Sequence, residues 1–242
     1  MKRFLLFSYI LLPVLGFSQH PFFEKADAFF KSRMVNNRIN YSLLRNNRSG
    51  LDSLIRDVER INVLDLDKDE RKAFYVNAYN LLVIKGVVEN YPVSNIIEEM
   101  PNFFNGIKYK IAGEQLTLDQ IEFMRLFGRE KDPRLHFVLN CGAYSCPTLY
   151  TGAILPDQLE EQLDFSLSLV MDRDYYVFVD HETKSIFVNK IFDWYREDFV
   201  LASGSLRQFI NFHRFTSVPK DYEIKFLEYD WRLNDSGGDQ VK

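Results

Sequence analysis

The chain has 242 residues, 46% hydrophobic and 15% aromatic, with 34 acidic side chains against 30 basic ones and a formal net charge of −4. That is ample material for a packed core and unlike a disordered composition. A mildly acidic chain without a basic stripe argues against nucleic acid as the main partner, because phosphate neutralisation dominates that affinity.

Residues 1–18 (MKRFLLFSYILLPVLGFS) have a basic start at Lys2 and Arg3, an apolar run, and small Ser18 at the end. This is the layout of a secretory signal peptide, and the run is short of the roughly 20 residues that span a bilayer. Cleavage is expected near Ser18–Gln19. An uncleaved anchor is the alternative, which Pro13 and Gly16 disfavour. The mature chain, residues 19–242, would lose Lys2 and Arg3 and carry a charge of −6. It is expected to be periplasmic or secreted, where thiols tend to pair. No later apolar run approaches spanning length, so no membrane span is expected after signal removal. With no linker and no internal repeat, residues 19–242 are expected to form a single domain. His20, beside the cleavage point, is expected to be unstructured.

Apolar spacings of three and four predict helices over 22–35 and 49–62. A longer helix is predicted from Asp67 to Asn90, capped by Asp67, with Asp69 and Glu70 in its first turn and Pro92 closing it. Its middle, Ala73–Ile84, is apolar almost all round, which implies burial on most sides. Asn77 and Asn80 inside that stretch need partners and are either packing pins or site residues. Ile107–Ile111 alternates as a strand, Ala112–Gly113 reads as a turn, and Thr117 caps a helix through Phe127. His136–Leu139 is apolar enough for a buried strand, with Asn140–Gly142 as the turn that ends it. Leu155–Met171 reads as a helix, Tyr175–Asp180 and Ser185–Asn189 as facing strands, 190–199 and 205–215 as helices, and Glu223–Tyr229 as a last strand. Helices bunched early and strands bunched late predict an α+β class: a helix-rich N-terminal half on a small, mainly antiparallel sheet.

The chemistry concentrates in His136–Leu149 (HFVLNCGAYSCPTL), which contains the chain's 2 cysteines. A thiol nucleophile needs a lowered pKa from a histidine, cation or helix N-terminus, together with backbone N–H groups facing the oxyanion. Gly142 and Pro147, beside the cysteines, offer such backbone. Cys141 is the first-choice nucleophile, Cys146 the reserve and His136 the base, with Asn80 or Asn140 to orient it. In an extended strand, positions 136 and 141 would face opposite sides unless the chain turns between them. His181 or His213 could supply the base instead. His181 otherwise reads as a solvated turn residue and His213 as half-buried packing.

A disulfide is the other reading of the pair, since GAYS between the cysteines can bring their Cα atoms to the roughly 4.4–6.8 Å a bond requires. Its small loop implies modest stabilisation, about 2 kcal/mol on the chain-entropy model. A reversible bond would unite the thiol and disulfide readings in a redox role. A metal site at His136, Cys141 and Cys146 lacks both close CxxC pairing and a clear fourth ligand, so no metal and no cofactor is expected. Asp193-Trp194 and Asp230-Trp231 place acids beside large aromatics, and Asp193, Trp194 and Trp231 are candidate substrate-binding walls. Core packing is the alternative for them. Asp132-Pro133-Arg134 is most simply a turn, with Arg134 able to hold an anion near the cysteines.

The four blocks AFYVNAYNLLVI (73–84), DPRLHFVLNCGAYSCPTL (132–149), IFDWYREDF (191–199) and LEYDWRLN (227–234) together resemble the family called domain of unknown function 547. That family looks similar to the papain-like and transglutaminase-like thiol hydrolases, which would imply a cysteine-proteinase-like fold. The short papain signature around a catalytic cysteine is absent here, so no catalytic residue is carried over. Two function classes stay open. One is an exported thiol-dependent hydrolase or acyl transferase using Cys141 and a histidine. The other is a non-catalytic exported binding or scaffold domain with a structural Cys141–Cys146 disulfide. Either would take a peptide, glycan or small-molecule ligand.

Overall fold

A computed structural model describes residues 20–128 and 131–237, and the expected signal peptide lies outside them. Helix α1 (Pro21–Arg33) starts at His20, whose Nδ1 accepts the Phe22 N–H at 3.2 Å. His20 is therefore a helix cap, contrary to the expectation of an unstructured residue; Pro21 at the first helical position needs no N–H partner. The short strands β1 (Met34–Val35) and β2 (Arg38–Ile39) pair in a hairpin that turns through Asn36 and Asn37, both at positive φ. Then come α2 (Tyr41–Asn46), capped by Asn40, and the amphipathic α3 (Ser49–Arg60).

Helix α4 (Lys68–Asn90) is the centre of the larger core. Its start is held by a reciprocal cap: Asp67 Oδ1 accepts the Glu70 N–H at 2.8 Å, and Glu70 Oε2 accepts the Asp67 N–H at 3.0 Å. Every residue from Ala73 to Ile84 is buried, as the all-round apolar pattern implies. After α5 (Ile96–Glu99), strands β3 (Tyr109–Ile111) and β4 (Glu114–Leu116) form a hairpin over Ala112–Gly113, both at positive φ. Thr117 caps α6 (Leu118–Gln120), which widens into a π-helical turn at Ile121–Leu126.

The predicted strand at His136–Leu139 is a correction. Pro133–Phe137 is a 3-10 turn, capped by Asp132, whose Oδ1 accepts the Arg134 N–H at 3.0 Å. Pro133 presets a helical φ there, and the Val138 carbonyl bonds to a side chain instead of a neighbouring strand. Helix α7 (Leu159–Met171) follows a short 3-10 turn at Pro156–Gln158. Strands β5 (Val177–Asp180) and β6 (Ser185–Val188) pair antiparallel. Helices α8 (Ile191–Trp194), α9 (Arg196–Ser203) and α10 (Leu206–His213) carry the chain back to β7 (Glu223–Phe226), which joins β6 in parallel. A helical crossover of that length permits parallel pairing, which a tight hairpin would not. The class is α+β, as expected. Among the described residues, however, the strands form three small separate sheets, and the three-stranded one is mixed.

A second apolar cluster joins β5, β6 and α8–α10 to Phe137 and to the end of α7. The His136–Leu149 segment thus runs between two cores. No helix of the described residues is long and apolar enough to cross a membrane.

Replacing the cap, Asp67→Ala, leaves the Glu70 N–H without its partner and should lower the unfolding free energy by about 1 kcal/mol. Urea denaturation followed by circular dichroism measures it, and an unchanged midpoint would count against the cap.

Candidate functional site

The two asparagines of α4 account for the position of the cysteine loop. Asn77 donates to the Ala73 and Ile154 carbonyls and accepts the Ile154 N–H at 2.9 Å. Asn80 donates to the Val138 carbonyl at 2.9 Å and accepts the Asn140 N–H at 2.9 Å. Asn140 then donates to the Pro147 carbonyl at 2.7 Å and accepts the Gly142 N–H at 2.9 Å. Asn80 and Asn140, expected to orient a catalytic base, thus spend their amides bracing the loop. Gly142 sits at φ 84°, the left-handed region that favours glycine.

The C-terminal segment lies along the loop. Tyr144 and Ser145 donate their N–H groups to the Arg232 and Asp230 carbonyls, and the Asn234 N–H reaches the Gly142 carbonyl. From the other side, the Tyr176 hydroxyl donates to the Cys146 carbonyl at 2.7 Å and Asn189 to the Ser145 carbonyl at 3.2 Å. Within this frame Cys141 and Cys146 have their Cα atoms 6.1 Å apart and their sulfurs at disulfide-bonding distance. The Cys141 N–H points at Cys146 Sγ, 2.8 Å away. A disulfide sulfur carries no hydrogen, so the Tyr229 hydroxyl is the donor in its contacts of 3.2 Å with Cys141 Sγ and 3.1 Å with Cys146 Sγ. Cys141 is the more exposed of the pair. The backbone N–H of Gly142, suggested as an oxyanion donor, is occupied, as is that of Cys141.

His136 is buried, stacked between Phe127 and Tyr195 at ring-centroid distances of 4.2 and 3.9 Å. Its Nε2 lies 3.0 Å from Asp198 Oδ2 on α9, and Asp198 Oδ1 is 3.6 Å from Lys131 Nζ. Burial outweighs the Asp198 charge and holds the imidazole near pKa 4, neutral at pH 7. A carboxylate accepts, so Nε2 carries the hydrogen and Nδ1 the lone pair. The 3-10 turn removes the strand-parity objection to pairing His136 with Cys141.

Both sulfurs and His136 line one cavity of about 340 Å³, walled by Tyr229, Trp194, Trp231, Phe104, Tyr195 and Tyr79. Trp194 and Trp231, expected as binding walls, are both there. Asp119 and Glu122 line it as well, although neither is evident from sequence. Glu122 sits in the π-helical turn and accepts from the Tyr195 hydroxyl at 2.7 Å. Burial is the main cause that pushes its pKa up to about 7, and burial also raises Asp119.

Other candidates lie elsewhere. Asp193 pairs with Lys190 at 2.8 Å and Arg196 at 3.6 Å and faces a different cavity. Arg134 is matched by Asp132, Glu160 and Asp164 at 2.7–2.8 Å and lines a cavity with Phe209 and His213, away from the sulfurs. His181 bonds Tyr222 at the surface, and His213 packs on Phe209 at 4.7 Å. Among the described residues no group of three or more His, Cys, Asp or Glu side chains is placed to hold a metal ion. Asp198, Asp119, Glu122 and Tyr229 are among the site residues that sequence reasoning missed. Only Asp198 left a trace, one helical turn from Tyr195 in the YRED run.

Residues 63–168 match the model of the family described as "Protein of unknown function, DUF547". The match covers α4 and the cysteine loop and stops before Asp198, Trp194, Tyr229 and Trp231. No curated protein and no solved structure matches the chain.

His136 and Glu122 push stability in opposite directions with pH. Below its ordinary 6.5, unfolded His136 binds a proton that the folded state refuses down to about 4, so that stability is lost as pH falls. Glu122 keeps a proton up to about 7 that the unfolded chain releases near 4.5, so that stability is lost as pH rises. In Glu122→Gln only the second effect disappears. The unfolding free energy of this variant minus that of wild type should therefore rise between about pH 4.5 and 7. Urea titrations at several pH values measure the difference, and a flat profile would contradict the buried acid.

Proposed function

We infer that this chain, which belongs to the DUF547 family through residues 63–168, is a thiol-dependent hydrolase or acyl transferase whose Cys141–Cys146 bond is its oxidised form. The observation that carries this reading is that both sulfurs and an imidazole oriented by Asp198 line a single aromatic-walled cavity. A dithiol reductant supplies two electrons and two protons, giving two thiols and a disulfide of the reductant. Cys141 Sγ, the more exposed sulfur, then bonds to a substrate carbonyl carbon as its proton passes to His136 Nδ1, and the carbonyl π pair moves onto oxygen. The tetrahedral species collapses to a thioester, the C–N or C–O bond breaks, and His136 returns the proton to the leaving group. Water or another nucleophile, deprotonated by His136, then bonds to the acyl carbon, the C–S bond breaks, and Cys141 Sγ takes the proton back from His136 as the acyl group leaves. The Tyr229 hydroxyl beside the sulfurs is a side-chain donor for the oxyanion, a role the occupied Gly142 N–H cannot take.

Residues 1–18 favour export, and an oxidising compartment would keep the pair bonded until a reductant opens it. A second reading, a binding domain with a permanent disulfide, is favoured by the sulfurs being paired and braced by Tyr229.

Mild reduction followed by iodoacetamide at neutral pH separates the two. The enzyme reading expects Cys141 to alkylate faster than free cysteine and His136→Ala to slow it about tenfold or more. It also expects reduced wild type, but not a folded Cys141→Ser variant, to cleave an activated ester. A pair that stays bonded, or thiols no faster than free cysteine, would leave the binding domain.

A further inference from the structure

Several half-buried carboxylates of the fold have a cation at hand. Asp132 faces Arg134 at 2.8 Å and Lys72 at 4.0 Å, and Asp198 faces Lys131 at 3.6 Å. Asp119 and Glu122 differ. They line the sulfur cavity together, and among the described residues no Lys or Arg lines it with them. The same cavity is lined by a continuous run of rings: Trp194 to Tyr229 at 4.7 Å, Tyr229 to Trp231 at 4.7 Å, and Trp194 to Trp231 at 5.9 Å between centroids. Ring faces attract cations, and desolvated carboxylates lack a counter-charge, so both favour a cationic ligand over an anionic one.

We propose that this cavity binds an organic cation, an ammonium group on a small carbon skeleton, with the charge between the Trp194, Tyr229 and Trp231 rings and the Asp119 and Glu122 carboxylates. This names the substrate class of the thiol reading and rests on that reading only for the chemistry after binding. A raised Glu122 pKa fits these surroundings: with Asp119 beside it and the Tyr79 and Tyr195 hydroxyls as partners, ionising it there is costly. An arriving ammonium supplies the missing charge, and Glu122 gives up its proton. The volume of about 340 Å³ suits a ligand of a few rings or fewer.

The chain has 2 tryptophans, and both line this cavity, so intrinsic fluorescence reports on it directly. Oxidised full-length protein is titrated with benzylammonium, benzyl alcohol and benzoate, which share a ring and differ in charge. Saturable quenching by benzylammonium is expected, with benzyl alcohol about tenfold weaker and benzoate weaker still. An Asp119→Asn, Glu122→Gln double variant, checked for folding by circular dichroism, should bind benzylammonium and benzyl alcohol alike. Should that variant unfold, Asp119→Asn alone is expected to narrow the preference. Benzyl alcohol or benzoate binding as tightly as benzylammonium to wild type, no saturable response to benzylammonium, or a preference unchanged in a folded variant would overturn the proposal. Because the oxidised protein has no free thiol, this outcome is independent of the alkylation result.

Discussion

The amide of Asn80 joins the two halves of the site. An amide buried in a helix interior must find a donor and an acceptor, or the helix bears on the order of 1–3 kcal/mol for each unpaired group. Asn80 meets that demand with the Val138 carbonyl and the Asn140 N–H, which fixes the chain on either side of Leu139 against α4. Asn140 repeats the arrangement one step on, toward Gly142 and Pro147. The loop has no sheet partner of its own apart from one isolated bridge, Ala143 to Leu233, so these side chains replace a strand ladder. The cysteine spacing follows from that scaffold, as does the arrival of Tyr229 with the C-terminal segment.

The electrostatics of the cavity follow from burial. His136 stays neutral because two rings and the core exclude water from it, even with Asp198 in contact. Glu122 holds its proton up to about pH 7 for the same reason, with no Lys or Arg lining the cavity among the described residues. A neutral imidazole oriented through Nε2 can accept a proton, and an uncompensated acid makes the cavity receptive to positive charge. The sulfurs that share this cavity are paired in a disulfide and present no free thiol.

Much of the fold is legible in the residues because its signals are local. The cap at Asp67, the all-round burial of α4, the turn at Ala112–Gly113, the facing strands β5 and β6 and the α+β class all follow from periodicity and turn chemistry. The β1–β2 hairpin and α2 are too short for periodicity to mark. The strand expected at His136–Leu139 fails because a short apolar run does not distinguish a strand from a helical turn, and Pro133 with its Asp132 cap decides for the turn. Asn77 and Asn80 are recognisable in the sequence as needing partners, but a sequence does not show which carbonyls lie across a core.

The sequence by itself determined which residues carry chemistry: two cysteines and a histidine in one short segment, with tryptophans in two others. It also determined where the apolar faces run, because helix and strand periods are set by backbone geometry. Only the tertiary structure decided how these pieces meet. Asp198 reaches His136 from 62 positions away, and Tyr229 reaches Cys141 from 88. Glu122 acquires its unusual proton only where packing has removed water and supplied no positive charge among the described residues. Desolvation belongs to a place in the folded molecule, and no spacing along the chain encodes it.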